Sequence, residues 1–322
     1  MLFAVVPATF GENDLVTSTR GPMTAVLVVG VAVVDFIFTL DGFPTTADKY
    51  EADDAYVVGG GCAANAAVAI TRLGGRAHLA ARIGRDVIGD LIISGLEDER
   101  VETDLIQRTP GARSSLSSVY LDREGHRQVV NFAGDRLADE AAWMVRPPPV
   151  DAILTDTRWT NGAVKALDTA LLQGIPGIVD GEAPIDPVIL ERASHIAFSL
   201  QGLQSLTSAT APGEALEEIR CDLSGWACVT DGENGVFFTG SNGIEHVPAF
   251  DVEVVDTLAA GDIWHGAFAL RVAEGDDERT AIRFANAAAA LKCTTGGGRS
   301  GCPGRADVND FLMDDSPLRG QS

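Results

Sequence analysis

The sequence predicts an α/β fold: a doubly wound, mostly parallel sheet with a small β-sheet lid. Three observations carry this. From Asp151 onward, short apolar runs alternate with helical segments, the pattern of a parallel sheet with right-handed crossovers. Ala25 to Val34 is a valine-rich apolar run of the kind found in strands buried on both faces. Two stretches, 36–58 and 114–132, instead alternate apolar and polar residues around turn signals, which suits short antiparallel strands covering a cleft.

The composition narrows the class. The chain has 322 residues, 46% apolar and 22% charged, enough for one large core. A formal charge of −22 opposes nucleic acid and anionic membranes, so an anionic substrate must meet a local cationic pocket. No run approaches a membrane span. Cys62, Cys221, Cys228, Cys293 and Cys302 are odd in number and contain no CxxC, so free thiols in a reducing cytoplasm are expected. Residues 1–22 read as a loose N-terminal extension before a domain spanning 23–315, and 316–322 as a fraying tail.

In chain order, the first strand run ends at Asp35. At the carboxyl end of a strand, an Asp is placed either to grip ligand hydroxyls or to cap a turn. Residues 36–58 follow as lid strands, broken at Asp41-Gly42 and Pro44. Gly59-Gly60-Gly61 then enters an Ala-rich helix that stops at Gly74-Gly75. The glycines permit close approach of a ligand, and Asn65 lies in the helix's first turns facing the same cleft. His78 to Ile83 reads as a strand, Asp86 to Glu97 as a helix, and Ser114 to Phe132 as a hairpin around Asp122-Arg123-Glu124-Gly125. Strands are expected at Asp151–Asp156, Gly177–Asp180, His195–Phe198 and Trp226–Thr230, with helices near 160–173, 186–193 and 213–220 between them. The loop from Thr230 through Gly232 to Gly235 suits a nucleotide rim or a hairpin turn equally. Glu278 to Lys292 is a long Ala-rich helix, and Thr294 to Gly301 a glycine loop able to face a phosphate or cation, or simply a helix cap.

The most chemical stretch is Val255 to His265, VDTLAAGDIWH, followed by the apolar helical pattern Ala267, Phe268, Leu270 and Val272. Ala259, Ala260 and Gly261 let backbone N–H groups converge in front of a helix's positive end, an anion hole. Asp262 sits in the first turn, where a carboxylate can take a proton from an attacking hydroxyl. Asp256 is placed to order the loop. This pairing is what phosphoryl transfer to an alcohol needs. The same residues also suit an ordinary capped helix start, and the stretch alone leaves both readings open.

Four segments in this order, GGGCAANAAVAITRLGG, ARIGRDVIGD, VTDGENG and VDTLAAGD, carry a resemblance across nearly the whole chain. The sequence resembles the ribokinase-like carbohydrate kinases, also called the PfkB family. The resemblance implies ATP-dependent phosphorylation of a sugar hydroxyl, with magnesium and a lid-to-lid homodimer, and leaves dependence on a monovalent cation open. It implies Asp262 as the base and Ala259, Ala260 and Gly261 as the anion hole. Asp35, Gly60, Gly61 and Asn65 would hold sugar hydroxyls, and Thr230, Gly232 and Gly235 would line the nucleotide. One departure concerns magnesium: the family's Asn-x-x-Glu element is replaced by Ser199-Leu200-Gln201-Gly202. TTADKY at 45–50, the Asn131-Phe132 step, TDTRWTNGA and LKCTTGGGRSG look like the sulfofructose kinase branch. That branch phosphorylates 6-deoxy-6-sulfofructose at its 1-hydroxyl during sulfoquinovose breakdown. Its sulfonate-holding Lys, Asn and Arg match Lys49, Asn131 and Arg158. The donor types suit a permanent anion with three acceptor oxygens. Lys49 and Asn131 are expected on lid strands and Arg158 beyond a core strand. A kinase of a neutral ketose or other sugar, or a non-catalytic sugar sensor on the same fold, are the competing readings.

Overall fold

The computed structural model describes residues 23–124, 126–141, 144 and 147–314, so the expected extension 1–22 and the tail 316–322 lie outside the described residues. The chain enters a large sheet at β1 (Ala25–Gly30), leaves it for β2 (Val33–Thr39) and β3 (Asp54–Gly60), and returns along α1 (Cys62–Arg72) to β4 (Arg76–Gly84). After α2 (Val87–Glu97) and β5 (Ile106–Thr109), β6 (Leu116–Leu121) and β7 (Arg127–Phe132) rejoin the second sheet. The remainder alternates through β8 (Ala152–Thr155), α3 (Thr160–Gln173), β9 (Gly177–Gly181), α4 (Pro187–Leu190) and β10 (His195–Ser199). It continues through α5 (Leu200–Gln204), α6 (Pro212–Ile219), β11 (Trp226–Thr230), β12 (Val236–Gly240) and β13 (Gly243–Val247). Three helices close the described chain: α7 (Ala260–Ala273), α8 (Glu278–Cys293) and α9 (Arg305–Asp314).

The large sheet runs β13-β12-β11-β10-β9-β8-β1-β4-β5, parallel throughout except for β12 and β13. The chain winds outward from β1 in both directions, so β1 and β8 flank a point where the strand order reverses. Ligands of open α/β sheets bind beyond the carboxyl ends of the strands at such a point. The four-stranded second sheet, β3-β2-β6-β7, stands over that end. The doubly wound class is therefore as expected.

Some local expectations fail. The Ala25–Val34 run is two strands in two sheets, not one, so Asp35 lies within β2 of the second sheet rather than at a core strand's end. The break is not local. The Asp156 carboxylate, from beyond β8, accepts the Val31 N–H at 2.7 Å and lies where a Gly30 side chain would be, 2.1 Å from an added Cβ. Lys49 is exposed in the loop joining β2 to β3, not on a strand. The expected helix 186–193 is four residues long, because Ser194 already donates to the Gly177 carbonyl, beside the start of β9. All five cysteines are free, and no described helix is long and apolar enough to cross a membrane.

α7 lies in the middle of the main core. Every residue from Ile263 to Leu270 is buried, so this helix is enclosed on all sides and its first turn meets the cleft. Gly266 makes this possible on one face: a Cβ there would lie 2.5 Å from the Ala66 carbonyl of α1. The absent side chain lets the two helices touch, and that contact sets the site.

Candidate active site

Asn65 and Asp262 meet across the α1–α7 contact. The Asn65 Nδ2 donates to Asp262 Oδ2 at 2.7 Å, fixing the carboxylate's orientation, while its own Oδ1 is a buried acceptor with no partner. Asp262 stands among other carboxylates. Asp156, Asp180 and Glu182 come from the carboxyl ends of β8 and β9, with Cys62 at the start of α1; one ligand atom each of Cys62, Asp180 and Asp262 lie within 4.8 Å of one another. Burial, with repulsion from Asp180, pushes the Asp262 carboxyl up to about 7. Asp180 is also raised well above the usual range, first by burial and then by Asp156 and Glu182. His265, one turn into α7, is pushed down to about 4 by burial and is neutral at pH 7. Its Nδ1 is 3.1 Å from Asp180 Oδ1 but out of line for a hydrogen bond.

The loop before α7 leaves backbone N–H groups free. Ala259 is in the left-handed region (φ 66°), which costs a residue with a Cβ about 1–2 kcal/mol. Asp256 holds that conformation by accepting from the Leu258 N–H at 2.8 Å and the Gly298 N–H at 3.0 Å. Although burial opposes its charge, these bonds and Lys292 keep Asp256 below the usual carboxylate range. Ala260 donates to the Thr257 carbonyl, so its N–H is spoken for. The N–H groups of Ala259, Gly261 and Asp262 have no partner among the described residues. A Cβ on Gly261 would meet nothing within 4 Å, so that turn opens on space. Free N–H groups in the first turn of a buried helix lie at the positive end of its dipole.

The second sheet contributes a row that crosses three strands. Asp35, Ser117 and Asn131 are directly paired on β2, β6 and β7. Asn131 donates to the Ser117 Oγ at 3.0 Å, and Ser117 hydrogen-bonds Asp35. Burial raises the Asp35 carboxyl, with Ser117 and the Arg299 charge opposing. The glycine triplet shapes this corner. Asp35 Oδ2 would lie 2.1 Å from a Gly60 Cβ, and the Arg299 guanidinium 1.9 Å from a Gly59 Cβ. Gly61 (φ 95°) starts α1, where a side chain would strike the Val31 carbonyl. Arg299 is 5% exposed, and the sequence reading missed it.

The remaining candidates are more scattered. Thr230 ends β11, its hydroxyl donating to the Phe198 carbonyl at 3.3 Å. The loop after it is a hairpin turn into β12. Gly232 (φ 51°) borders open space. Gly235 (φ 90°) is demanded by packing, since a Cβ would lie 2.3 Å from the Val247 carbonyl. Arg158 donates to the Ala183 carbonyl at 2.8 Å and is ion-paired with Glu182. Its backbone N–H bonds Asp156 at 2.9 Å. Lys49, Asn131 and Arg158 are thus not brought together by any hydrogen bond or ion pair among the described residues. At the place of the expected Asn-x-x-Glu element, Ser199 caps α5 by accepting from the Gly202 N–H at 3.0 Å.

Comparison with known proteins agrees with this geometry. Residues 23–304 match the pfkB family carbohydrate kinase profile. A solved Agrobacterium tumefaciens protein provisionally described as a ribokinase is 35% identical, with TM-score 0.85, covering 91% of this chain and 98% of its own. Bacillus subtilis ribokinase is 28% identical over 90% of this chain and the whole of that protein. Arabidopsis thaliana ribokinase, solved with ribose and ATP, shares the fold (TM-score 0.78, 22% identity, 90% of this chain and 99% of that one). With a buried carboxylate set beside free backbone N–H groups at the sheet's switch point, the chain belongs to the pfkB family of carbohydrate kinases, which are phosphotransferases.

Proposed function

We propose that this enzyme transfers the γ-phosphoryl group of ATP to the 1-hydroxyl of 6-deoxy-6-sulfofructose, releasing ADP. The observation that carries the kinase chemistry is Asp262, held by Asn65 against the first turn of α7. The sugar oxygen attacks γ-phosphorus, its proton passes to Asp262, and the bond to the ADP oxygen breaks. The free N–H groups of Ala259, Gly261 and Asp262 receive the charge on the moving phosphoryl group. Asp35, Asn65 and the backbone at Gly60 and Gly61 hold sugar hydroxyls, while Thr230, Gly232 and Gly235 edge the nucleotide. For magnesium, the donor set fits in part. Asp180 and Glu182 offer hard carboxylate oxygens in a cluster whose mutual repulsion favours a cation, whereas the Cys62 thiol does not suit that ion. When bound, magnesium neutralises phosphate charge.

The sulfosugar assignment rests on the matching segments around Lys49, Asn131 and Arg158, and on the Asn131–Ser117–Asp35 row, which ties one of the three to a carboxylate of the cleft. Arg158 must exchange its Glu182 partner for the sulfonate. Its existing ion pair favours the second reading, a kinase of a neutral ketose, in which Arg158 is structural. ADP release with sulfofructose and fructose at matched concentrations separates the two. Sulfofructose is expected to be strongly preferred, and Arg158→Ala to lower kcat/KM for it by roughly 10- to 100-fold, the loss of one charge-assisted pair. Equal rates on both sugars, or an equal Arg158→Ala loss on both, would leave the kinase and remove the sulfosugar.

A homodimer through the second sheet is part of the same proposal. Val57 and Val130 are 53% and 59% exposed and share one cross-strand row with Phe36 and Ser118. Such a row favours cover by another copy. Sedimentation velocity should find a dimer that Val57→Asp with Val130→Asp converts to monomer; a wild-type monomer would refute it.

A further inference from the structure

Lys292 is completely buried near the end of α8, with no solvent to accept its protons. Its Nζ instead donates to three oxygens: the Asp256 carbonyl at 2.8 Å, Asp256 Oδ2 at 2.9 Å and the Thr295 carbonyl at 3.1 Å. These oxygens come from two loops. One leads into the anion site before α7; the other is the glycine loop that carries Gly298 and Arg299. The same Asp256 carboxylate binds the Gly298 and Leu258 N–H groups, and the Cys293 carbonyl accepts from Val255 at 2.7 Å and Asp256 at 3.1 Å. Two carbonyls and one carboxylate oxygen facing one buried positive centre form the donor set that would suit a large monovalent cation.

We infer that Lys292 is a built-in cation: its ammonium holds the anion loop and the glycine loop together, and the enzyme needs no free potassium or ammonium. The residues therefore do not fit a free monovalent ion, because a covalently attached charge already satisfies the oxygens that would bind it. Lys292 is a positioning residue. Completely enclosed, it acts through Asp256 on the Ala259–Asp262 backbone. The tether keeps the charge in place at any ionic composition, whereas a free ion is bound only above its dissociation constant.

The inference rests on the kinase reading for its activity arm, and a binding arm is independent of it. Wild-type turnover is expected to agree within twofold in potassium, ammonium and choline chlorides at equal ionic strength; tenfold activation by potassium would overturn the inference. Lys292→Ala opens a cavity lined by the three oxygens. In choline chloride it should melt lower than wild type and lose at least tenfold in turnover. Ammonium chloride, and potassium chloride less fully, should restore both saturably. Lys292→Met, which fills the space without charge, should not respond. A folded Lys292→Ala whose melting temperature ignores ammonium and potassium also overturns it. If the alanine variant does not fold, the wild-type salt comparison still decides. If no sugar yields ADP under any salt, the kinase reading has failed, and the melting temperatures alone test the cation role.

Discussion

Asp262→Asn is expected to lower kcat by roughly 10²- to 10⁴-fold while sugar affinity stays within a few-fold of wild type. Asn keeps the shape and the contact with Asn65 but cannot accept the hydroxyl proton. The proposed anion site is backbone and survives the change, so residual turnover should remain above the uncatalysed rate. Because the Asp262 carboxyl is pushed to about 7, wild-type kcat/KM should fall on the acid side with a midpoint near that value. In the variant, that limb should vanish. Stability moves the opposite way. The folded carboxyl holds its proton up to about 7, against 3.8 for an ordinary Asp. Between those values the folded state binds more protons than the unfolded one, so wild-type stability is lost as pH rises through the window. Asn has no charge to bury. The variant should therefore melt higher than wild type above pH 7, with the difference closing near pH 4. Near-normal turnover in Asp262→Asn would refute the base assignment.

Asp35→Ala is the second large effect. It should lower kcat/KM for the sugar by roughly 10²- to 10⁴-fold, mostly through KM, the cost of two charge-assisted hydrogen bonds at about 1.5–3 kcal/mol each. The carboxylate sits against Gly60, is bonded by Ser117, and with Glu99 is one of two anions whose charge acts on the buried Arg299. Removing it also leaves Arg299 beside an empty corner, so some loss of stability is expected. Asp35→Asn separates the two effects, since it fills the corner and keeps an acceptor but drops the charge. Calorimetric titration of sugar into each variant reads the affinity directly. A KM within threefold of wild type for Asp35→Ala would remove Asp35 from the sugar site.

Much of this site could be read locally. Asp262 with its flanking small residues, and Asn65 behind the glycine triplet, are contiguous motifs at helix starts, and the structure joins them by one hydrogen bond. Alternation of strand and helix after Asp151 was also enough to give the sheet's class. What escaped depends on distant partners. Val31 looks like strand, but Asp156 takes its N–H and splits the run, which moves Asp35 to the other sheet. β5 and β13 are short edge pieces whose pairing, rather than composition, makes them strands. α9 follows a glycine loop and carries little apolar periodicity. For Arg158 a salt bridge to one of the many carboxylates competes with the sulfonate role, and which carboxylate it meets is not legible locally, because Glu182 lies 24 residues on. Lys292 did leave a trace. It falls at helical spacing with Ala281, Ala285 and Ala288, all buried, so a lysine was lying on the apolar face of its helix.

The burial of α7 has a consequence for how the enzyme behaves in ionic solutions. Mobile ions cannot enter the core to screen peptide dipoles along a helix enclosed by Ile263, Trp264, Phe268 and Leu270. Its positive end therefore acts on the cleft as a fixed electrode in an insulating sleeve. The exterior is different, because the net charge of −22 is spread over wetted side chains and shrinks in reach as salt is added. Two fields of opposite sign thus meet at the cleft mouth: a salt-sensitive one that slows the arrival of an anionic nucleotide, and a salt-insensitive one that acts once it has arrived. Ionic strength should accordingly speak to encounter and leave the chemical step alone.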